Sequence, residues 1–366
     1  MARGEDGTEQ ETGSALANVR RLAGEWDGAN SDEGYPAERV ARLAEAGALS
    51  AFTALDGEAA VRDLGAALRL IGGADLSLGR IWEGHVNAAQ LVHAYGDPGQ
   101  RAALARDLEA GRVFGVWNTE PAPGMRIEPA TGGRRRLSGA KSFATGAGHL
   151  DRVLITARDG DGAKRMVLVD MAGLDERADL SGWRVRGMRG TVSGVFDFDR
   201  IEVGEEALIG GPNDYEREPR FTAGAWRFCA VQLGGAEALV RHLRDHLLAT
   251  GKADDPLQRA RFGAAATGVR SAGCWVARAA QVAERGEDDA VPLALMTRGV
   301  VEDACLRTME AAARGAGTAA FLEESRIDRI SRDLGLYLRQ PFPDGARDRA
   351  AQAWLQRDRW GEDPWW

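Results

Sequence analysis

Lysine is almost missing from this chain of 366 residues: only Lys141, Lys164 and Lys252 occur, and arginine supplies the rest of its 47 basic side chains. Set against 55 acidic residues, these give a formal charge of -8. No basic run is long enough to serve as a nucleic-acid tract, and Arg134-Arg135-Arg136 reads as the solvated turn of a hairpin. Cysteine is equally scarce. Cys229, Cys274 and Cys305 are odd in number and have neither metal-ligand nor redox spacing, which excludes a disulfide framework and fits a reducing cytoplasm. No apolar run approaches the roughly 18 residues that span a bilayer. The polar, glycine-bearing start, Met1 to Ser14, lacks the basic-then-apolar order of an export signal and reads as a disordered tail. His242 and His246 stand at i, i+4 without a third ligand, so an exposed helix face is expected there and no metal. No repeat is visible. The expectation is a cytoplasmic protein without nucleic-acid or membrane partners, long enough for two or three packed subdomains around a large cofactor.

The order of patterns along the chain is α, then β, then α. After Pro36 a helix opens at Ala37 and ends near Gly47, with further helices over 59–71 and 84–95 before Gly96-Asp97-Pro98 breaks the pattern. Short β-branched runs follow at 113–117, 152–156, 165–170, 183–185 and 195–203. From Phe221 the chain is again helical, in Ala- and Arg-rich amphipathic segments over 236–248, 257–283 and 291–316. This organisation predicts an N-terminal helical domain over 15–112, a small β domain over 113–212 and a C-terminal helical bundle over 213–366, a mainly helical α+β protein.

Three segments of the middle carry chemistry. They are Trp117-Asn118-Thr119-Glu120-Pro121, then Leu137-Ser138-Gly139-Ala140-Lys141-Ser142-Phe143-Ala144-Thr145-Gly146, then Gly187-Met188-Arg189-Gly190-Thr191. The segments resemble those of a flavin-binding β domain, and a flavin needs donors at the edge of its pyrimidine, an apolar surface along one ring face and an open second face. Thr119, at the end of a strand, offers backbone and hydroxyl contacts. Phe143 and Thr145, two apart on one strand, are expected to face the same way, one beside the ring and the other hydrogen-bonding to it.

In this order the segments resemble the flavin-cradling β domain of the acyl-CoA dehydrogenase superfamily, and the resemblance extends over nearly the whole chain from about Pro36. It implies a helical N-terminal domain, a central β barrel and a C-terminal four-helix bundle that associates into a homodimer or homotetramer. It also implies FAD, or FMN, held by Trp117, Asn118, Thr119, Gly124, Phe143, Ala144 and Thr145. The implied activity is oxidation of an acyl-CoA or carrier-bound acyl substrate, with electrons passed to a separate acceptor.

Departures from the family pattern leave alternatives open. Gly124 is followed by Met125 and Arg126 where most members have Ser-Asp. The loop 249–255 lacks the family's Arg followed two residues later by aromatic-Gly. Abstraction of an α-proton requires a carboxylate within hydrogen-bond reach of that carbon, yet the usual position of the base falls on Pro341 and a second one near Trp226. A short insertion would bring Asp344-Gly345 to the family's Glu-Gly, making Asp344 the candidate base; the alternative is an Asp capping the helix over 347–354. Without a base, the same fold suits a two-component monooxygenase or N-hydroxylase supplied by a flavin reductase, for which His85 is the candidate polar group, or a scaffold subunit without redox chemistry. Trp354, Trp360, Trp365 and Trp366 read as cover for an apolar subunit surface.

Overall fold

The computed structural model describes residues 2–27, 34–340 and 342–357. Five helices come first: α1 (Ala2–Trp26), α2 (Ala37–Glu45), α3 (Gly57–Ala74), α4 (Leu76–Tyr95) and α5 (Pro98–Glu109). Ten short strands follow: β1 (Phe114–Trp117), β2 (Arg126–Pro129), β3 (Arg135–Ser138), β4 (Ala140–Ala144), β5 (Arg152–Arg158), β6 (Lys164–Asp170), β7 (Ala178–Asp179), β8 (Gly194–Asp197), β9 (Glu202–Val203) and β10 (Leu208–Ile209). The described residues close with α6 (Arg220–Ala223), α7 (Trp226–Ala249), α8 (Pro256–Arg285), α9 (Ala290–Ala316), α10 (Arg326–Tyr337) and α11 (Pro343–Arg357).

Two compact units emerge: Met1–Leu64 with Ser77–Arg217, and Gly65–Leu76 with Glu218–Trp366. In the first, the strands divide into a seven-stranded sheet of order β10-β6-β5-β2-β3-β9, with β1 also pairing β5, and a three-stranded sheet of order β4-β8-β7. Strand β5 runs parallel to β1 and antiparallel to β6. Its five consecutive buried residues are what a strand covered on both faces requires. One cover is helical: Ala88, Leu91 and Val92 of α4 and Leu104 and Leu108 of α5 pack on Phe114, Leu154, Met166 and Ile209.

Some sequence expectations are corrected. The N-terminal segment is helical, because Ala15, Val19, Leu22 and Trp26 form a buried stripe at helical spacing and Thr12 Oγ1 donates to Asp63 Oδ2 at 3.2 Å. Residues 183–185 form no strand, since Trp183 N–H turns back to the Leu180 carbonyl and Arg184 N–H to that of Gly182. The run 195–203 breaks into β8 and β9 at Asp199-Arg200, where Arg200 has φ +62°. Of the basic triplet only Arg134 lies in the hairpin turn, Arg135 and Arg136 being paired on β3, and Glu202 and Glu205 form ion pairs with all three. Trp354 packs on Trp275 of the same chain with ring centroids 6.0 Å apart, while Trp360, Trp365 and Trp366 lie outside the described residues.

In the second unit α7, α8, α9 and α10 pack together, with α11 against α9 through Leu295, Ala346 and Ala350. The end of α3 crosses α7 at glycines. A Cβ on Gly72 would stand 2.2 Å from the Val231 carbonyl oxygen, and one on Gly234 would stand 2.1 Å from that of Arg69. Backbone meets backbone there, so neither helix can yield by moving a side chain. Gly234→Ala is expected to lower stability by about 1–3 kcal/mol, although alanine is intrinsically the better helix former by about 1 kcal/mol. Equilibrium urea unfolding checks this, and an unchanged or raised midpoint would show that the crossing relaxes freely.

Candidate functional site

The site is organised by a buried ammonium. Lys141, on β4, has no solvent exposure, and its Nζ donates to the Asn118 carbonyl at 3.0 Å, Glu120 Oε2 at 2.7 Å and Thr156 Oγ1 at 3.1 Å. Three hydrogens thus meet three oxygens, which an ammonium removed from water requires. Thr156 in turn donates to Asn118 Oδ1 at 2.7 Å. Burial pulls the Lys141 pKa below its ordinary value, and the hydrogen bond and charge of Glu120 oppose that shift. The chain after β1 is therefore fastened to β4 and β5. Between the fastened Asn118 and Glu120, the exposed Thr119 accepts the Ser142 N–H at its carbonyl, 3.0 Å away.

Trp117 acts from behind. Its ring is buried against Phe196 and Phe198, at centroid distances of 5.4 and 6.1 Å, and its Nε1 donates to the Thr145 carbonyl at 2.9 Å. Ala144 is buried and paired with Gly194. Gly124, φ +94°, closes a turn onto the Pro121 carbonyl, and its own carbonyl lies so near Gly139 that a Cβ there would approach it to 2.7 Å.

Simple alternation does not govern Phe143 and Thr145. The β4–β8 register shifts between Lys141 and Ala144, Phe143 has φ +51°, and Thr145 lies beyond the end of β4. The bulge turns the Phe143 ring outward, 65 % exposed, where regular pleating would set its direction by that of its neighbours. Thr145 Oγ1 lies 3.2 Å from Ser193 Oγ, which donates to Thr191 Oγ1 at 2.8 Å, and Thr191 donates to the Met188 carbonyl at 2.8 Å. All three motif segments thus converge. Sequence reasoning missed Ser193 and the roles of Lys141, Glu120, Thr156 and Thr191; the only signal was a lysine in a chain almost without them.

His85 belongs to the core rather than to a cavity wall. It is fully buried in α4, its Nδ1 accepts the Phe114 N–H at 2.9 Å, and its Nε2 donates to the Leu49 carbonyl at 2.8 Å. Neither nitrogen is left for a ligand. From the same helix Trp82 and Gln90 donate to the carbonyls of Ala48 and Phe52, so His85 is one of three donors that tie down the segment after α2.

In the C-terminal unit Asp344 is exposed in the first turn of α11, where its charge suits the helix dipole. Pro341 lies outside the described residues. Trp226 is fully buried, and the carboxylate that reaches it, Glu284, accepts from Trp226 Nε1 at 3.0 Å and Arg227 Nη2 at 2.7 Å. Just past the loop 249–255, α8 carries Arg259 and Phe262-Gly263, three residues apart and so not in the family's spacing, and Arg259 Nη1 donates to the Ala253 carbonyl at 3.3 Å. Among the described residues no group of three or more His, Cys, Asp or Glu is placed to hold a metal, and no helix is long and apolar enough to cross a membrane.

Residues 218–338 match the acyl-CoA dehydrogenase C-terminal domain. The cyclohex-1-ene-1-carbonyl-CoA dehydrogenase of Geobacter metallireducens is 28% identical over 158 residues, 41% of this chain and 41% of that protein, so the match spans about two fifths of the curated relative. Butyryl-CoA dehydrogenase from Megasphaera elsdenii superimposes with a TM-score of 0.80 at 16% identity, over 94% of this chain and 98% of that one. Residues 218–338 thus carry an acyl-CoA dehydrogenase C-terminal domain, and the chain has the fold of the acyl-CoA dehydrogenase superfamily. Members of this fold are not all dehydrogenases: the dibenzothiophene monooxygenase TdsC from Paenibacillus sp. A11-2, in complex with FMN and indole, superimposes with a TM-score of 0.81 at 19% identity, over 93% of this chain and 97% of that one.

The residues present fit the flavin of this superfamily. An aromatic ring held outward by a left-handed backbone offers a flat apolar face, and a half-buried hydroxyl beside it retains hydrogen-bonding capacity. Lys141→Met is expected to cost about 3 kcal/mol, as for removal of one member of a buried pair, and to weaken flavin binding by loosening residues 118–120. Denaturant unfolding with a flavin titration checks both, and unchanged affinity would detach the lysine from the site. Burial lowers the His85 pKa from 6.5 to about 4. Below pH 6.5 the unfolded chain takes up a proton that the folded chain refuses, so this contribution is complete above pH 6.5 and is lost as pH falls toward 4, by about 3 kcal/mol in all. Unfolding free energies at pH 7 and 5 should therefore differ less in His85→Gln than in the unsubstituted protein.

Proposed function

We propose that this chain is a flavin-dependent oxidoreductase that works in the monooxygenase mode, receiving reduced FMN or FAD from a separate reductase. One observation carries the choice. Of the carboxylates at or near the family's two base positions, Glu284 is engaged by Trp226 and Arg227, and Asp344 stands on the exposed first turn of a helix. Abstraction of an α-proton needs a carboxylate directed at the substrate carbon; oxygen chemistry on a flavin does not. A bound flavin supplies the electron transfer. The chain's part is to hold the cofactor with Phe143, Thr145 and the backbone around Thr119, and to keep residues 117–120 fixed through Lys141. Trp117, Asn118, Gly124 and Ala144 contribute by shaping that backbone.

The second reading is oxidation of an acyl thioester with Asp344 as base. It is favoured by the Asp344-Gly345 pair at the start of α11, which the resemblance aligns with the family's Glu-Gly, and by the Phe342 ring that lies over Gly345. Protein loaded with excess oxidised flavin and mixed anaerobically with a panel of acyl-CoA thioesters is expected to keep the flavin colour, and reduced flavin bound to it is expected to reoxidise in air at least about tenfold more slowly than free reduced flavin. Anaerobic bleaching by a thioester, abolished in Asp344→Asn, would replace this reading with the dehydrogenase.

A further inference from the structure

Behind Thr145 stand two hydroxyls that no flavin contact explains, Ser193 (7 % exposed) and Thr191 (2 % exposed). We propose that Ser193 and Thr191 are positioning residues that fix the direction of the Thr145 hydroxyl, so that it accepts from a ligand and does not donate to it, and that the site therefore selects the reduced flavin. The inference rests on the flavin reading above and adds a redox preference to it.

The direction follows from counting hydrogens. A hydroxyl has one hydrogen and two lone pairs, and a carbonyl has only lone pairs. The Met188 carbonyl ends the chain; it already accepts the Thr191 N–H at 3.2 Å and Trp183 Nε1 at 3.3 Å. Thr191 Oγ1, 2.8 Å away, must spend its hydrogen on that carbonyl, so toward Ser193 it can only accept. Ser193 then spends its own hydrogen on Thr191, at 2.8 Å. The remaining contact, 3.2 Å between Ser193 Oγ and Thr145 Oγ1, is satisfied only if Thr145 donates inward. Reversing any link would set lone pairs against each other in a buried place. Thr145 is left with acceptor capacity alone.

The backbone holds this order in place. Gly146 N–H donates to the Thr191 carbonyl at 2.8 Å, and Met188 and Val192 on either side have φ +56° and +38°. Such left-handed conformations in residues with side chains persist where the surroundings over-determine them. The two redox states of a flavin differ at N5, which is a bare acceptor when oxidised and carries an N–H when reduced. A hydroxyl that can only accept is matched to the second and mismatched to the first. A protein that takes up reduced flavin from a reductase gains from that match, because oxidised flavin competes less well for the site.

The test is the affinity of the whole protein for FMN in each state, titrated aerobically for the oxidised form and anaerobically after dithionite reduction for the reduced form. The unsubstituted protein is expected to bind reduced FMN at least about tenfold more tightly than oxidised FMN. In Ser193→Ala the Thr145 hydrogen loses its partner and turns toward the ligand. In Thr191→Val the Ser193 hydrogen turns to Thr145, with the same result. Each variant should lower the preference about tenfold, which for this two-electron couple moves the midpoint potential about 30 mV more negative. A purely structural role would weaken both states alike, so an unchanged ratio in both variants, with FMN still bound, overturns the relay. Failure of the unsubstituted protein to bind FMN in either state overturns the flavin reading itself and the relay with it.

Discussion

The Lys141 ammonium is the constraint on which the candidate site depends. A lysine without solvent exposure is tolerated only when each N–H has a partner, and here the partners come from β5 and from the segment that follows β1. Because one of them is a backbone carbonyl, that of Asn118, the network dictates main-chain position as well as side-chain position. Thr119 is then presented outward from a segment held on both sides. Trp117 continues the same bracing one residue earlier by donating to the Thr145 carbonyl, which joins the first motif to the second.

Much of the architecture was legible in the sequence because it rests on local periodicity. The buried run of β5 and the amphipathic stripes of α7, α8 and α9 announce themselves without their partners. The misreadings share a cause, which is that the deciding contact is remote in sequence or reverses a local rule. His85 looks like any polar helical residue until the Leu49 carbonyl, 36 residues earlier, is brought against it. The Phe143–Thr145 alternation fails because of a bulge whose only trace is a glycine-bounded strand paired with another of irregular register. Ser193 was invisible because a serine two residues after a threonine has no meaning until a third hydroxyl from another strand meets it.

His85 also shows how a buried polar side chain can serve the backbone around it. Trp82, His85 and Gln90 together donate to three carbonyls between Ala48 and Phe52, a stretch of turns that has few regular backbone partners of its own. Buried carbonyls need donors, and a helix packed across them is the available source. An imidazole serves twice there, since its second nitrogen accepts the Phe114 N–H at the start of β1. Helix α4 and β1 are thereby set relative to each other directly ahead of Trp117.

Phe143 raises the complementary question of a group left unsatisfied. An aromatic side chain gains by burial, and a residue with a side chain is disfavoured at φ +51°; the strand accepts both penalties at one residue. Regular pleating would have avoided the second. The bulge instead places a flat apolar face in the open, two residues before a hydroxyl that lies 3.2 Å from Ser193 Oγ. That exposed ring is the planar apolar surface on which the proposed flavin reading depends, and the proposed choice between the two chemistries depends in turn on how Glu284 and Asp344 are engaged.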